Sequence, residues 1–312
     1  MSNDTSNYDS FLRVTPLLVG GLVIACFVIL LGTIVLPKNV QQDTPTPTLP
    51  KVPVASVFDS INIEARSAYV YDAQTDSALF EKNAYEALPL ASITKLLSVV
   101  VAQSVFPSGT IITISPEALS EVGDSDLFVG ERWLLRDLLR YTLTVSSNDG
   151  ASAVAHTYDE RGATTFVTKL NEYSQSLGLS SFSFTNATGL DEKGTWKAAN
   201  FGSARDVTFL FAHALTTIPD ILDATRIGQG SISSLDRIHR VSNTNTMIDS
   251  IPNAIGSKTG FTDAAGGNLV LSFDVGIGHP VIIVVLGSSK DGRFTDMQKL
   301  VGATNAHYAL RD

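Results

Sequence analysis

Three short clusters of reactive side chains occur in order along the chain: Ser92-Ile93-Thr94-Lys95, then Ser146-Ser147-Asn148, then Lys258-Thr259-Gly260. Together they supply a hydroxyl, a nearby amine, a second hydroxyl, an amide and a second cation. A serine hydroxyl is a poor nucleophile until an adjacent base takes its proton. Lys95 stands three residues after Ser92, on the same face if the segment is helical, and it can be that base only when neutral. Burial lowers a lysine pKa, and so would the charge of Lys258 if both lined one cleft. Ser146 can relay a proton to a leaving amine, and the Asn148 amide can hold either the substrate backbone or Lys95. Lys258 with the Thr259 hydroxyl suits a carboxylate. Gly260 leaves a strand edge open to substrate backbone.

Each cluster has a plain structural reading when taken alone. The first could be a helix start, the second a loop and N-cap, the third a strand end. An S-x-x-K arises by chance about once in a chain this long, and a K-T-G in about one such chain in ten. Their order and context add the weight. Ser92 follows Leu88-Pro89-Leu90-Ala91 and precedes Leu96-Leu97-Ser98-Val99-Val100-Val101, which predicts the first turn of a buried helix. Such a helix start favours negative charge developing at Ser92.

The elements that must carry these groups are legible in outline. Ser67–Asp72 and Ala78–Lys82 flank a polar turn and predict a hairpin. Leu134, Leu135, Leu138 and Leu139 recur at helical spacing, as do Val154, Phe166, Val167 and Leu170 further on. Asn268–Val275 and Val281–Leu286 predict a second hairpin, and Phe294–Leu310 an amphipathic helix with Met297, Leu300 and Val301 on one side. Strands at both ends with helices between them predict an α/β (α+β) protein, an antiparallel sheet with a helical lobe inserted.

The chain has 312 residues, 44% hydrophobic and 17% charged, enough for a real core. Its 31 acidic and 22 basic residues give a net charge of −9, which repels a phosphate backbone, so nucleic acid is not an expected partner. Cys26 is the sole cysteine, which excludes an internal disulfide and thiol redox pairs. His156, His213, His239, His279 and His307 show no ligand spacing, so no metal and no cofactor are expected.

Residues 14–36 carry no charge, and 23 residues of helix span about 35 Å against a hydrocarbon core of about 30 Å. The segment reads as an uncleaved signal anchor. Val23-Ile24-Ala25-Cys26 is a competing lipoprotein box, although the apolar sequel to Cys26 argues against it. Flanking charges do not fix the orientation, since Arg13 on one side faces Lys38 and Lys51 on the other. Residues 1–13 are a tail, residues 37–55 with Pro45, Pro47, Pro50 and Pro53 an extended tether, and residues 56–312 the globular body.

On these residues the chain resembles the penicillin-binding serine D-alanyl-D-alanine carboxypeptidases, the low-molecular-mass, peptidase S11-like group related to serine β-lactamases. The resemblance runs from about Ala65 to Leu310. It includes Ala68 to Asp72, Leu88 to Leu97, Gly130-Glu131, Phe184 to Asp191, Ala204-Arg205-Asp206, Asn243-Thr244-Asn245 and Gly256 to Gly266. It implies a β-lactamase/penicillin-binding-protein-like fold, with Ser92 as the acylated nucleophile and Lys95 as its proton partner. Ser146 and Asn148 would form the second element. Lys258, Thr259, Gly260 and Phe261 would line the substrate strand, the N–H groups of Ser92 and Phe261 forming an oxyanion hole. The implied substrate is a peptidoglycan stem peptide, β-lactams are the implied covalent inhibitors, and the body would lie outside the membrane.

Ser147 replaces a common glycine and Asn268 a common cysteine, and the C-terminal β-rich domain of several relatives is absent from this sequence. A D,D-endopeptidase of the same family is the nearest alternative. A class A β-lactamase fits less well, because no glutamate-containing deacylation motif is evident between Asn148 and Lys258. A non-catalytic wall-binding anchor protein is the alternative of another class, and it would bind stem peptide without releasing D-Ala. Asn186-Ala187-Thr188 reads as a structural loop rather than a glycosylation acceptor, and Arg293 as either a carboxylate ligand or a surface group.

Overall fold

The computed structural model describes residues 56–310 except 124, 125, 163 and 196. The expected tail, span and tether all lie outside the described residues. No single helix among the described residues is long and apolar enough to cross a membrane.

The chain opens with β1 (Ser67–Asp72) and β2 (Ser77–Lys82), followed by the short β3 (Leu88–Pro89). A 3₁₀ turn at Ala91–Ile93 runs into helix α1 (Thr94–Val105). Strands β4 (Ile111–Thr113) and β5 (Arg132–Leu134) precede α2 (Leu135–Val145), α3 (Asn148–Asp159) and α4 (Phe166–Ser176). Then come β6 (Phe201–Gly202), α5 (Ala204–Thr217), α6 (Pro219–Leu222) and the hairpin β7 (Gln229–Ser233) and β8 (Ile238–Ser242). The chain returns through β9 (Ala254–Thr262), β10 (Gly266–Asp274), β11 (Pro280–Ser288) and α7 (Gly292–Ala309).

The main sheet is five-stranded, in the order β2-β1-β11-β10-β9, and every pairing is antiparallel. Both predicted hairpins are in it. The first and last strands of the described residues therefore share one sheet, and the helical middle is an insertion. Leu134 differs from expectation: it ends β5, paired with Ile111, and the helix starts one residue later.

Why β10 and β11 read as continuous apolar runs follows from two-sided burial. Val281, Ile283 and Val285 face Met297 and Leu300 of α7, whereas Ile282, Val284 and Leu286 face the helical lobe. One-residue alternation thus serves two cores. On the lobe side α1 is buried nearly all round, with Leu96, Leu97, Val100 and Val101 in the core.

The α7 layer is fastened by Asp296. Its carboxylate accepts from the backbone N–H of Glu64 at 2.9 Å, the N–H of Ala65 at 2.8 Å and the Ser288 hydroxyl at 2.7 Å. Truncating this buried acid strands three donors, of which the Ala65 N–H and the Ser288 hydroxyl are buried. Asp296→Ala is expected to destabilise the protein by about 2–4 kcal/mol, read as a lower urea midpoint at unchanged slope. An unchanged midpoint would show that the clamp contributes nothing.

Candidate active site

Ser92 sits in the 3₁₀ turn at the head of α1, half-buried, with Lys95 beneath it in the first α-turn. The turn is unusual because Ala91 has φ +46, a left-handed conformation costing an L-residue about 1–3 kcal/mol. Two glycines hold the turn in place. A Cβ on Gly189 would lie 1.9 Å from the Ala91 carbonyl, and one on Gly260 would lie 2.8 Å from the Leu90 carbonyl and 3.2 Å from the Ser92 nitrogen. Gly260 is therefore required by the close approach of β9 to the nucleophile's own turn. Openness to substrate, expected from the sequence, is secondary to that approach.

The Lys95 amine is fully buried and has three polar neighbours: Asn148 Oδ1 at 2.6 Å, the Thr188 carbonyl at 2.6 Å and Ser92 Oγ at 3.0 Å. The first two can only accept. Asn148 Nδ2 donates to the Val122 carbonyl at 2.6 Å, which fixes the orientation of the amide. A neutral amine has two N–H groups and one lone pair. With both N–H groups given to Asn148 and Thr188, the lone pair faces the Ser92 hydroxyl. Burial lowers the Lys95 pKa to about 7, against the opposing pull of Glu121 and Asp149. Such an arrangement can serve as a general base toward the Ser92 hydroxyl.

The structure decides between the two roles open to Asn148. Its Oδ1 accepts from Lys95 and its Nδ2 donates to the Val122 carbonyl, so it holds Lys95. Ser146, the left-handed C-cap of α2 at φ +60, turns its hydroxyl to Lys258 Nζ, which donates at 2.8 Å. Ser147 caps α3 by accepting from the Gly150 N–H.

Lys258 departs from expectation. Its register opposite Val270 turns it to the lobe side, and its amine also donates to the Thr259 carbonyl at 2.7 Å. It is buried, and burial followed by the Lys95 and Arg293 charges lowers its pKa well below the usual lysine value. Its charge is not what depresses Lys95; desolvation does that. Lys258 orients Ser146 instead of presenting an exposed ammonium. The Thr259 hydroxyl pairs with that of Thr244 at 2.6 Å, and Phe261 is partly exposed beyond it. β9 is an edge strand of the main sheet; on its outer side the Ser257 N–H donates to Thr225 Oγ1 and the Thr259 carbonyl accepts from Lys258, which leaves the Phe261 end for an added strand.

Several positioning groups carried no side-chain signal in the sequence. The Thr188 and Val122 acceptors are main-chain carbonyls. The loop carrying Thr188 is held by Asn186, whose Oδ1 accepts from the Gly189 N–H at 2.7 Å, and by Asn200, which donates to Thr94 Oγ1 and the Asn186 carbonyl. Asn186 thus braces the loop, as expected. Arg293 is buried and donates to the Gly260 carbonyl at 2.7 Å, so it steadies β9 and is not a surface group. Asn268 bridges the Pro89 carbonyl and the Gly287 N–H. His239 pairs with Glu131 and His279 with Asp72, and no group of three metal-ligating side chains occurs among the described residues.

Residues 53–290 match the sequence profile of peptidase S11, D-alanyl-D-alanine carboxypeptidase. The chain belongs to that family. It is 28% identical over 253 residues to the D-alanyl-D-alanine carboxypeptidase DacF of Bacillus subtilis, covering 78% of this chain and 63% of the relative. A D-alanyl-D-alanine endopeptidase of Pseudomonas aeruginosa is 30% identical, with 75% of each chain covered. The fold matches that of ampicillin-bound penicillin-binding protein D2 from Listeria monocytogenes, with a TM-score of 0.64 and 26% identity over 78% of this chain and 98% of that one. Within the matched residues, Ser92, Lys95 and Asn148 meet at hydrogen-bond distance, as do Ser146 and Lys258.

Since Lys95 titrates near neutrality, modification of Ser92 by a fluorophosphonate is expected to speed up about tenfold per pH unit below 7 and level off above it. Glu121→Gln removes a charge that favours the ammonium, so the midpoint should move to lower pH. A flat profile from pH 5 to 9 would exclude Lys95 as the base.

Proposed function

We propose that this protein is a membrane-anchored serine D-Ala-D-Ala carboxypeptidase that removes the terminal D-Ala of peptidoglycan stem peptides. The observation carrying the reading is the buried Lys95 amine, which has two fixed acceptors at 2.6 Å and lies 3.0 Å from Ser92 Oγ. Family membership of residues 53–290 supports the substrate class. The chain spans 63% and 61% of the length of two carboxypeptidase relatives, from Bacillus subtilis and Escherichia coli.

In this reading the substrate adds to the β9 edge with its carboxylate toward Thr259. Lys95 takes the Ser92 proton as Oγ bonds to the penultimate carbonyl carbon. The N–H groups of Ser92 and Phe261 receive the developing oxyanion. The C–N bond then breaks, the leaving amine of D-Ala is protonated by way of the Ser146 hydroxyl, and water hydrolyses the Ser92 ester with Lys95 again as base. A β-lactam would acylate the same hydroxyl, in keeping with the ampicillin-bound neighbour. Residues 14–36 supply the anchor, and a peptidoglycan substrate places the body on the outer side of the membrane.

The endopeptidase reading is supported by relatives of that description from Pseudomonas aeruginosa and Escherichia coli, 30% and 28% identical to this chain. The chemistry at Ser92 is the same, and the leaving amine differs.

The test compares the full chain and residues 56–312, each as wild type and as Ser92→Ala, for D-Ala release and for intact mass after penicillin. Wild type should release D-Ala and hold a persistent penicilloyl adduct, and Ser92→Ala should lose both by more than about a thousandfold. The full chain should pellet with membranes and the shorter protein should not. An equally stable adduct on Ser92→Ala, or release from a cross-linked dimer alone, would overturn the carboxypeptidase assignment, and a full chain that stays in the supernatant would overturn the anchor.

A further inference from the structure

The Ser92–Lys95 pair depends on two backbones from different parts of the chain. One is the turn that carries the serine. The other is the loop 185–190, whose Thr188 carbonyl accepts from the Lys95 amine at 2.6 Å. A single buried side chain grips both. Asn200, 2% exposed, stands just before β6, and the pairing of β6 with β3 brings it against the segment that leads into the serine turn.

On the serine side, the Asn200 carbonyl accepts from the Leu90 N–H at 3.0 Å and its Nδ2 donates to Thr94 Oγ1 at 3.0 Å. These two contacts bracket Ala91, Ser92 and Ile93. On the loop side, Nδ2 also donates to the Asn186 carbonyl at 3.1 Å, while Oδ1 accepts from the N–H of Thr185 at 2.9 Å and that of Asn186 at 3.3 Å. Asn186 passes the hold on to the acceptor itself, because its Oδ1 receives the N–H groups of Thr188 at 3.2 Å and Gly189 at 2.7 Å. These hydrogen bonds run to neighbours of the reacting groups. Helix α1 has a second tie to the same loop, the Ser98 hydroxyl donating to the Ala187 carbonyl at 2.7 Å. With that tie and the apolar burial of α1 intact, losing the Asn200 amide loosens the loop against the turn without detaching it. A hydrogen bond weakens steeply with misalignment, and a looser loop admits water to the Lys95 amine.

We propose that Asn200 is a positioning residue for acylation of Ser92: it holds the Thr188 acceptor and the serine turn in one register, and so keeps the Lys95 amine facing the serine hydroxyl. The inference rests on Lys95 as the base for Ser92 and not on which peptide is cleaved.

Full-length protein in detergent, as wild type, Asn200→Ala, Thr94→Val and Thr94→Ser, should be labelled with a fluorophosphonate from pH 5 to 10, with the urea midpoint measured alongside. Asn200→Ala should slow labelling by about ten- to a hundredfold. Thr94→Val removes the acceptor on the serine side while keeping the shape, and should slow it by about three- to tenfold; Thr94→Ser, which restores that acceptor, should recover most of the loss. In Asn200→Ala and Thr94→Val the midpoint of the rate profile should also rise above the wild-type value near 7, because water at the amine favours the ammonium. A lower urea midpoint with rate and pH midpoint unchanged would make Asn200 purely structural and overturn the proposal. If Asn200→Ala does not fold, Thr94→Val decides, and a wild-type rate and midpoint there would overturn it equally. A flat profile in the wild type would instead contradict Lys95 as the base.

Discussion

An amine shut away from water with two partners that can only accept is the constraint on which this molecule turns. Lys95 cannot keep its charge cheaply inside the lobe, and Asn148 and Thr188 leave its lone pair one direction in which to point. Everything that fixes those two acceptors therefore bears on the nucleophile. Asn186 and Asn200 brace the Thr188 loop, and the Val122 carbonyl holds the Asn148 amide. The bulk of α1 is buried apolar surface, which both anchors Lys95 in place and supplies the low dielectric that neutralises it.

The same economy governs the second cation. Lys258 reaches Ser146 because β9 and the α2–α3 junction meet across the cleft, and burial with the Lys95 and Arg293 charges lowers its pKa well below the usual lysine value. The sheet contributes an edge as well as a support. The order β2-β1-β11-β10-β9 leaves one side of β9 unpaired within it, while Arg293 fixes the Gly260 carbonyl of that strand. The strained turn at Ala91, pressed between Gly189 and Gly260, sets Ser92 where the β9 strand and the Lys95 amine meet.

Much of this was legible in the amino-acid order because the signals were local. The two hairpins and α7 announce themselves by β-branched runs and by Met297, Leu300 and Val301 on one helix face. Ser92 and Lys95 are three residues apart and needed no tertiary knowledge. The long-range pairs had less to show. That Lys258 serves Ser146, that Asn148 is used at both ends, and that burial alone depresses Lys95 depend on which face a strand turns and on main-chain carbonyls, which have no residue-type signature. Gly260 and Gly189 were ambiguous for the same reason, since the atoms that forbid a Cβ come from a distant turn. Leu134 fell to β5 because pairing with Ile111 outweighed its helical spacing.

The protonation state of one nitrogen decides the account. Nitrogen-15 NMR of Lys95 Nζ in the otherwise unmodified protein, followed from pH 5 to 11, reads that state directly. A titration midpoint near 7, with the neutral amine present through the alkaline range, is the predicted result. An ammonium that persists to pH 10 would contradict it, because Ser92 would then have no base beside it.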